Sequence, residues 1–349
     1  MSVNKTYCMS SYLALRYIED DEKDFFEGMR HQKMPPIQEG DKTLVRTAAE
    51  IDFAVQEAFS KEEGERLGLL LSGGMDSAIL AAYMKGADAY TFRFLGGEFQ
   101  ETELHRAESY AKYYDLNLHY VDIDWEVVEK HIDVLMERKG APVHSIEPQI
   151  FAAALQARHD GVTRMVIGNA SDYVFGGMDQ LLSRDWTFDD FINRYVYLYP
   201  ADILTESVDM GYLFERYRTD DTIDFLRFLD DIDVEESYNS YFNAFQTAGM
   251  PYFDPYMTLK MAEPLDLERI RRGESKYLIR ELFSMKYPGI PVPEKIPMPR
   301  PVDYYFRDWA GPARPEFKAN LDMSRFTGNQ KWQLWCLERF LNLFDPQNR

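Results

Sequence analysis

Hydrophobic and polar positions alternate between two periods from residue 67 to residue 168. Four short apolar runs read as strands: "LGLLL" ending at Leu71, "AYTFRF" from Ala89 to Phe94, "LHYVDID" from Leu118 to Asp124, and "RMVIG" from Arg164 to Gly168. Between them lie stretches with helical spacing, namely Ser77 to Lys85 stopped by Gly86, Glu101 to Tyr114, Trp125 to Arg138 and Pro148 to His159. Strands separated by helices of this length predict an α/β fold, a parallel sheet with helices on both faces. Ligands of such sheets bind beyond the carboxyl ends of the strands.

Outside this core the pattern is less regular. Residues 1–65 read as a lead-in carrying one amphipathic helix near Thr47 to Phe59. Trp186 to Phe245 is rich in Tyr, Phe and Asp at helical spacing, which predicts aromatic helix cores and an acidic solvated face. The proline-rich stretch from Tyr287 to Pro301 can be neither regular helix nor central strand, because proline removes a donor and fixes φ. It predicts a loop over the site. Lys331 to Phe344 sets Trp332, Trp335, Phe340 and Leu343 near one helical stripe, expected to pack and not to bind.

Composition narrows the function classes. The chain has 349 residues, 45% hydrophobic and 28% charged, enough for a sizeable core and unlike a disordered chain. Its formal net charge of −20 repels phosphodiester backbones and anionic lipid surfaces, so neither nucleic acid nor membrane is an expected partner. No apolar run approaches the roughly 18 residues of a membrane helix, and no basic segment followed by an apolar one opens the chain, so a cytoplasmic location is expected. Cys8 and Cys336 form no CxxC pair and read as buried thiols. The six histidines show no close spacing, which argues against a histidine metal site.

Candidate chemistry concentrates in "LLSGGMDS", Leu70 to Ser77, where a strand ends in Ser-Gly-Gly-x-Asp-Ser and turns into a helix. Backbone N–H groups, two hydroxyls and a helix N-terminus then surround one point, an anion cradle. Gly73 and Gly74 allow close approach of the backbone to a phosphate, and Ser72 and Ser77 can donate hydrogen bonds. Asp76 would repel that phosphate unless a cation lay between them, which predicts Mg²⁺. The stretch is neither a Walker A loop nor a G-x-G-x-x-G turn. Asp172 also follows a predicted strand, so the fold can bring both carboxylates to one edge to share the metal. Lys276 would set a fixed cation against charge developing on the α-phosphate, and Arg280, one helical turn on, could reach the phosphates.

With these residues in view, the sequence resembles the N-type ATP pyrophosphatases, and in detail the synthetase domains of asparagine synthetase B and β-lactam synthetase. The resemblance runs from about Gly68 to Arg300. It rests on "LSGGMDS"; on "AYTFRF", where the family's second strand lines the adenine; on "IGNASDYVFGG", similar to G-E-G-S-D-E-L-F-G-G; on "MPYFDP", similar to V-P-F-L-D; and on "SKYLIRELF", similar to K-x-x-L-R. It implies cleavage of ATP to AMP and pyrophosphate, activation of a carboxylate as its acyl adenylate, and displacement of AMP by ammonia or an amine. Carried onto this chain, the nucleotide would meet Leu71, Ser72, Gly73, Gly74, Asp76, Ser77, Phe92, Gly168 and Arg280. Mg²⁺ would sit on Asp76 and Asp172, with Lys276, Asp76 and Asp172 as the catalytic set. Asn169, Tyr173 and Thr247 would face the substrate.

Three of those positions depart from the family. Asn169 and Tyr173 stand where it has glutamates, and "AFQTAG", Ala244 to Gly249, stands where it has H-G-L-E-A-R, with Thr247 for Glu and Gly249 for Arg. The expectation is a retained ATP site beside a rebuilt, largely neutral acceptor pocket, suited to a small-molecule or scaffold-borne carboxylate with few charges. The expected organisation is a lead-in (1–65), an ATP-pyrophosphatase domain (66–300) with a helical insertion at about 186–245, and a C-terminal helical extension (301–349). Only about 65 residues precede the core and residue 2 is Ser, so a glutaminase half is not expected, and the nitrogen would come from free ammonia, a separate ammonia-supplying partner or an amine. Two other readings share the loop: an enzyme that activates an RNA base or transfers sulfur, and a non-catalytic nucleotide-binding protein.

Overall fold

Five short parallel strands form the central sheet of the computed structural model, which describes residues 2–96, 100–233, 235–296 and 300–345. They are β1 (Leu67–Leu70), β2 (Asp88–Phe94), β3 (Asn117–Ile123), β4 (Arg164–Val166) and β5 (Tyr252–Phe253), ordered β5-β4-β1-β2-β3. Leu69, Ala89, Tyr90, Val121, Met165 and Val166 are buried, as strands covered on both faces require. The four strands expected from the apolar runs are present. β5 adds an edge strand too short for any period to announce.

The helices that matter for the site are α1 (Lys5–Leu15), α2 (Ala48–Ser60), α3 (Met75–Ala81), α4 (Glu101–Tyr113), α5 (Trp125–Lys139), α6 (Glu147–His159), α7 (Ser171–Val174), α8 (Glu235–Ala248), α9 (Tyr277–Lys286) and α10 (Gly328–Phe344). On one face α9 packs against α2 and α3, and on the other α5, α6 and α8 pack together. The helix expected over Ser77–Lys85 is α3, which closes early. Ala82, Tyr83 and Met84 turn back to carbonyls three residues before them, tightening the last turn.

The lead-in holds a helix that periodicity did not reveal. Residues Tyr7 to Leu15 of α1 are all buried, so the helix has no polar face and no amphipathic signal. Its buried serines bond locally, Ser10 Oγ to Thr6 O at 2.8 Å and Ser11 Oγ to Tyr17 O at 2.9 Å. Between residues 186 and 228 the helices are short, one of 8 residues and the others of 4, around an aromatic core in which the Phe214 and Phe228 rings stack 5.0 Å apart. Along α10, Trp332 and Phe340 are buried, whereas Leu343 in the last turn is 36% exposed. Residues 287–296 are irregular, as the prolines require; 297–299 lie outside the described residues. Cys8 and Cys336 are both buried free thiols, pushed up to about 12 by burial. Among the described residues no helix is long and apolar enough to cross a membrane.

Candidate active site

Strand order reverses at β1. The chain steps outward through β2 and β3, then crosses back to lay β4 and β5 on the other side. The crevice between the carboxyl ends of β1 and β4 is therefore the topological switch point, the expected ligand position in a parallel sheet. Asp76 stands just after β1, Asp172 just after β4 and Asp254 immediately after β5, so adjacent strands aim three carboxylates at one edge.

The loop after β1 is shaped by its glycines and serines. A Cβ on Gly73 would meet the backbone oxygen of Glu103 at 2.7 Å, so only glycine lets the loop lie against α4. Ser72 Oγ lies 3.0 Å from Ser77 Oγ and accepts from Gly74 N at 3.1 Å, which folds the turn onto the start of α3. Gly73 N points at Glu103 Oε1, 3.3 Å away, and burial pushes that carboxyl above its usual range. Gly168 is less tightly constrained, since a Cβ would press on Asp76, Leu80 and Tyr256 at 3.3 Å.

Lys276 joins the two sides. It sits at φ +52°, left-handed for a non-glycine residue, at the start of α9, and only 3% of it is exposed. Its Nζ lies 2.7 Å from Asp76 Oδ2 and 2.8 Å from Asp172 Oδ1. Burial disfavours the ammonium, but the two carboxylates outweigh burial and raise its pKa, so it stays protonated. Burial likewise pushes Asp172 up, and Lys276 and Lys295 outweigh it, holding the carboxyl below its ordinary value. Ser171 Oγ donates to Asp76 Oδ1 at 2.6 Å, and Lys295 Nζ bonds Asp172 Oδ1 at 3.1 Å and Gly177 O at 2.7 Å. A Cβ on Gly177 would overlap the Asp172 side chain, which explains the second glycine of "FGG".

These groups open into a cavity of about 360 Å³ lined by Leu71, Ser72, Gly74, Asp76, Ser77, Phe92, Gly168, Asn169, Asp172, Lys276 and Arg280, all singled out from sequence, and by residues of the proline-rich stretch. The loop does lie over the site, with Pro293 to Ile296 in its wall. Gly73 backs onto Glu103 instead of the cavity. Tyr173 is set aside from it, its ring edge-on to Tyr238 at 5.5 Å. Thr247 is not brought there: it lies in the last turn of α8, its Oγ1 3.4 Å from Asn243 Oδ1.

Four participants escaped the sequence reading. Ser171 and Glu103 hold the loop, Tyr241 lines the cavity, and Asp254 fixes the β4–α7 turn. Asp254 is 5% exposed; its Oδ2 accepts from Ala170 N at 2.7 Å and its Oδ1 from Tyr256 N at 3.0 Å. Burial pushes its carboxyl up to about 7 in spite of those bonds. The aspartate of "MPYFDP" was the available signal for this residue.

Among the described residues no group of three or more His, Cys, Asp or Glu could hold a metal by itself. Two carboxylates at the mouth of an anion cradle nevertheless fit Mg²⁺, which takes one or two carboxylates and completes its shell with phosphate and water. Lys276 and Lys295 both contact Oδ1 of Asp172, leaving Oδ2 outside these contacts.

A family model described as asparagine synthase matches residues 50–224. Three solved structures are similar in part. They are a predicted subunit of tRNA methyltransferase from Methanocaldococcus jannaschii (14% identity, 66% of this chain and 98% of that one, TM-score 0.23), NH3-dependent NAD synthetase from Campylobacter jejuni (13%, 63% and 97%, TM-score 0.26), and NMN synthetase from Francisella tularensis (10%, 72% and 97%, TM-score 0.26). Scores this low carry no argument about this chain. No curated protein matches the sequence.

Proposed function

Since the chain belongs to the asparagine synthase family, ATP-dependent ligases that form amides, we propose that it adenylates a carboxylate and passes the acyl group to ammonia or an amine. In the first step a carboxylate oxygen attacks the α-phosphorus of ATP and the bond to pyrophosphate breaks. In the second the amine attacks the acyl carbon, AMP leaves and the amine nitrogen loses a proton. The observation that carries this reading is the Lys276 ammonium held between Asp76 and Asp172 at the mouth of the loop. A buried fixed cation is suited to charge that grows on the α-phosphate in both steps, and it needs no reorganisation when that charge appears.

The backbone N–H groups of the loop would take the pyrophosphate end, Phe92 would lie along the base, and Arg280 would reach the phosphates from α9. Asp76 and Asp172 are the residues that would hold Mg²⁺, which when bound neutralises phosphate charge beside the two carboxylates. Their further part is to keep Lys276 protonated and fixed.

The test is product analysis with ATP, Mg²⁺, ammonia and a panel of carboxylic acids. AMP and pyrophosphate in equal amounts, dependent on one acid, are expected. Release of ADP and phosphate instead would replace adenylation by acyl-phosphate chemistry.

A further inference from the structure

One member of the loop after β1 does not reach the cavity. Leu71, Ser72, Gly74, Asp76 and Ser77 line it, while Gly73 does not, and Glu103 of α4 lines it in that place. The Gly73 N–H donates to Glu103 Oε1 at 3.3 Å, which is long for a bond to a carboxylate. In an anion cradle that N–H belongs to the bound anion. A carboxylate therefore already stands where a phosphate oxygen is expected.

The charge is poorly compensated there. Burial pushes the Glu103 carboxyl above its ordinary range, and the opposing pull of the Gly73 N–H and of Arg106 does not offset burial. Arg106 lies one helical turn along α4, on the same face as Glu103. Its Nη1 donates to the carbonyl of Glu294 at 2.8 Å, in the proline-rich wall of the cavity. A guanidinium carries further N–H donors, so this bond leaves others open to a carboxylate. The packing of the loop on α4 does not need the carboxylate. A Cβ on Gly73 would meet the backbone oxygen of Glu103 at 2.7 Å and its Cα at 2.9 Å, so backbone lies against backbone. The side chain can leave while that contact stays.

We propose that the Glu103 carboxylate is an internal anion that occupies the phosphate cradle until the pyrophosphate end of a nucleotide displaces it from the Gly73 N–H toward Arg106. This rests on the reading of the loop as a nucleotide site and not on what the nucleotide then undergoes. Two anions cannot share one donor, so part of the phosphate's affinity is offset by moving Glu103. Because Arg106 also holds Glu294 O, the displaced carboxylate ties α4 to the cavity wall, and filling the loop steadies that wall.

Calorimetric titration of the full chain with pyrophosphate and with a non-hydrolysable ATP analogue, each with and without Mg²⁺, tests the latch. Glu103→Gln keeps the size of the side chain and a neutral acceptor for Gly73, and removes only the charge. It should tighten pyrophosphate about fivefold or more, and the ATP analogue in the same direction, with the larger gain for the metal-free ligand. Adenosine, which brings no phosphate, should bind variant and parent alike. Arg106→Gln leaves the displaced carboxylate without a partner, so it should weaken pyrophosphate in the parent and have little effect in the Glu103→Gln background. Unchanged or weaker pyrophosphate binding by Glu103→Gln would make Glu103 a prop of the loop, and a loss confined to titrations with Mg²⁺ would make it a metal ligand. Either result overturns the proposal. Equal effects of Arg106→Gln in both backgrounds would mean that Arg106 acts on the ligand directly, and overturn the transfer. None of these titrations needs turnover, so release of ADP and phosphate in the product analysis would replace adenylation and leave the latch standing.

Discussion

Lys276 and Asp254 illustrate two opposite uses of burial. Lys276 keeps its charge because two carboxylates face it, and in the proposed reaction its value lies in the transition state. Lys276→Met should therefore lower kcat for acid-dependent AMP formation by about a hundredfold or more while the affinity for an ATP analogue changes far less. Equal losses in both would make Lys276 a binding residue. Asp254 is buried against two backbone N–H donors and holds its proton up to about 7, well above the roughly 3.9 of an unfolded aspartate. Between those values the native state binds a proton that the unfolded chain has released. The contribution to stability is thus full below about pH 4 and is lost as pH rises through about 7. Asp254→Asn leaves one N–H unpaired, so it should be the less stable protein at about pH 5, and the gap to the parent should narrow toward about pH 8. Chemical denaturation across that range reads the effect directly; a gap that widens with pH would show that Asp254 is ionised in the native state.

At the scale of elements, what could be read from sequence was what periodicity and special residues encode. The four longer strands and α2, α4, α5, α6 and α10 each carry a repeated apolar pattern over enough residues to be seen. The loop after β1 was legible because glycine, serine and aspartate at that spacing suit few other purposes. Helix α1 was not, since a helix buried all round has no period, and β5 is only two residues long. The "FGG" pair was legible as a motif but not as a mechanism. In the structure Gly177 leaves room for the Asp172 side chain, and its N–H bonds Asp172 O at 2.7 Å. Gly177→Ala should push Asp172 off Lys276, cutting turnover at least about tenfold while stability falls by only about 1–2 kcal/mol. Unfolding midpoints and kcat measured on one preparation separate the two. Unaltered turnover would mean that the Asp172 to Lys276 contact has no part in the chemistry.

Across the whole molecule the two halves of the site have different origins. The phosphate-loop side takes its residues from the ends of β1 and β4, neighbours in the sheet, and from the start of α9, whereas the charged cluster near Asn169 gathers Arg16, His144, Glu236 and Arg300 from four distant segments. That is why the first was legible and the second was not: no local pattern links residues that only tertiary packing brings together. The packing centres on Val143, next to His144. Its carbonyl receives Tyr12 Oη from α1 at 3.2 Å, and Trp332 Nε1 and Cys336 Sγ from α10, each at 3.1 Å. Helices near the two ends of the chain thus fix the backbone from which His144 and Ser145 meet Arg300. Trp332→Phe removes one of these donors and some buried volume, at a cost of about 2 kcal/mol in stability. Because the nucleotide loop is anchored to other elements, the loss should fall unevenly. Affinity for an acid that supports AMP formation should drop several-fold while affinity for the ATP analogue stays within twofold or so. Calorimetry with each ligand in turn reads the split, and a matched loss for both would mean that α1 and α10 steady the fold as a whole and not the segment around His144 in particular.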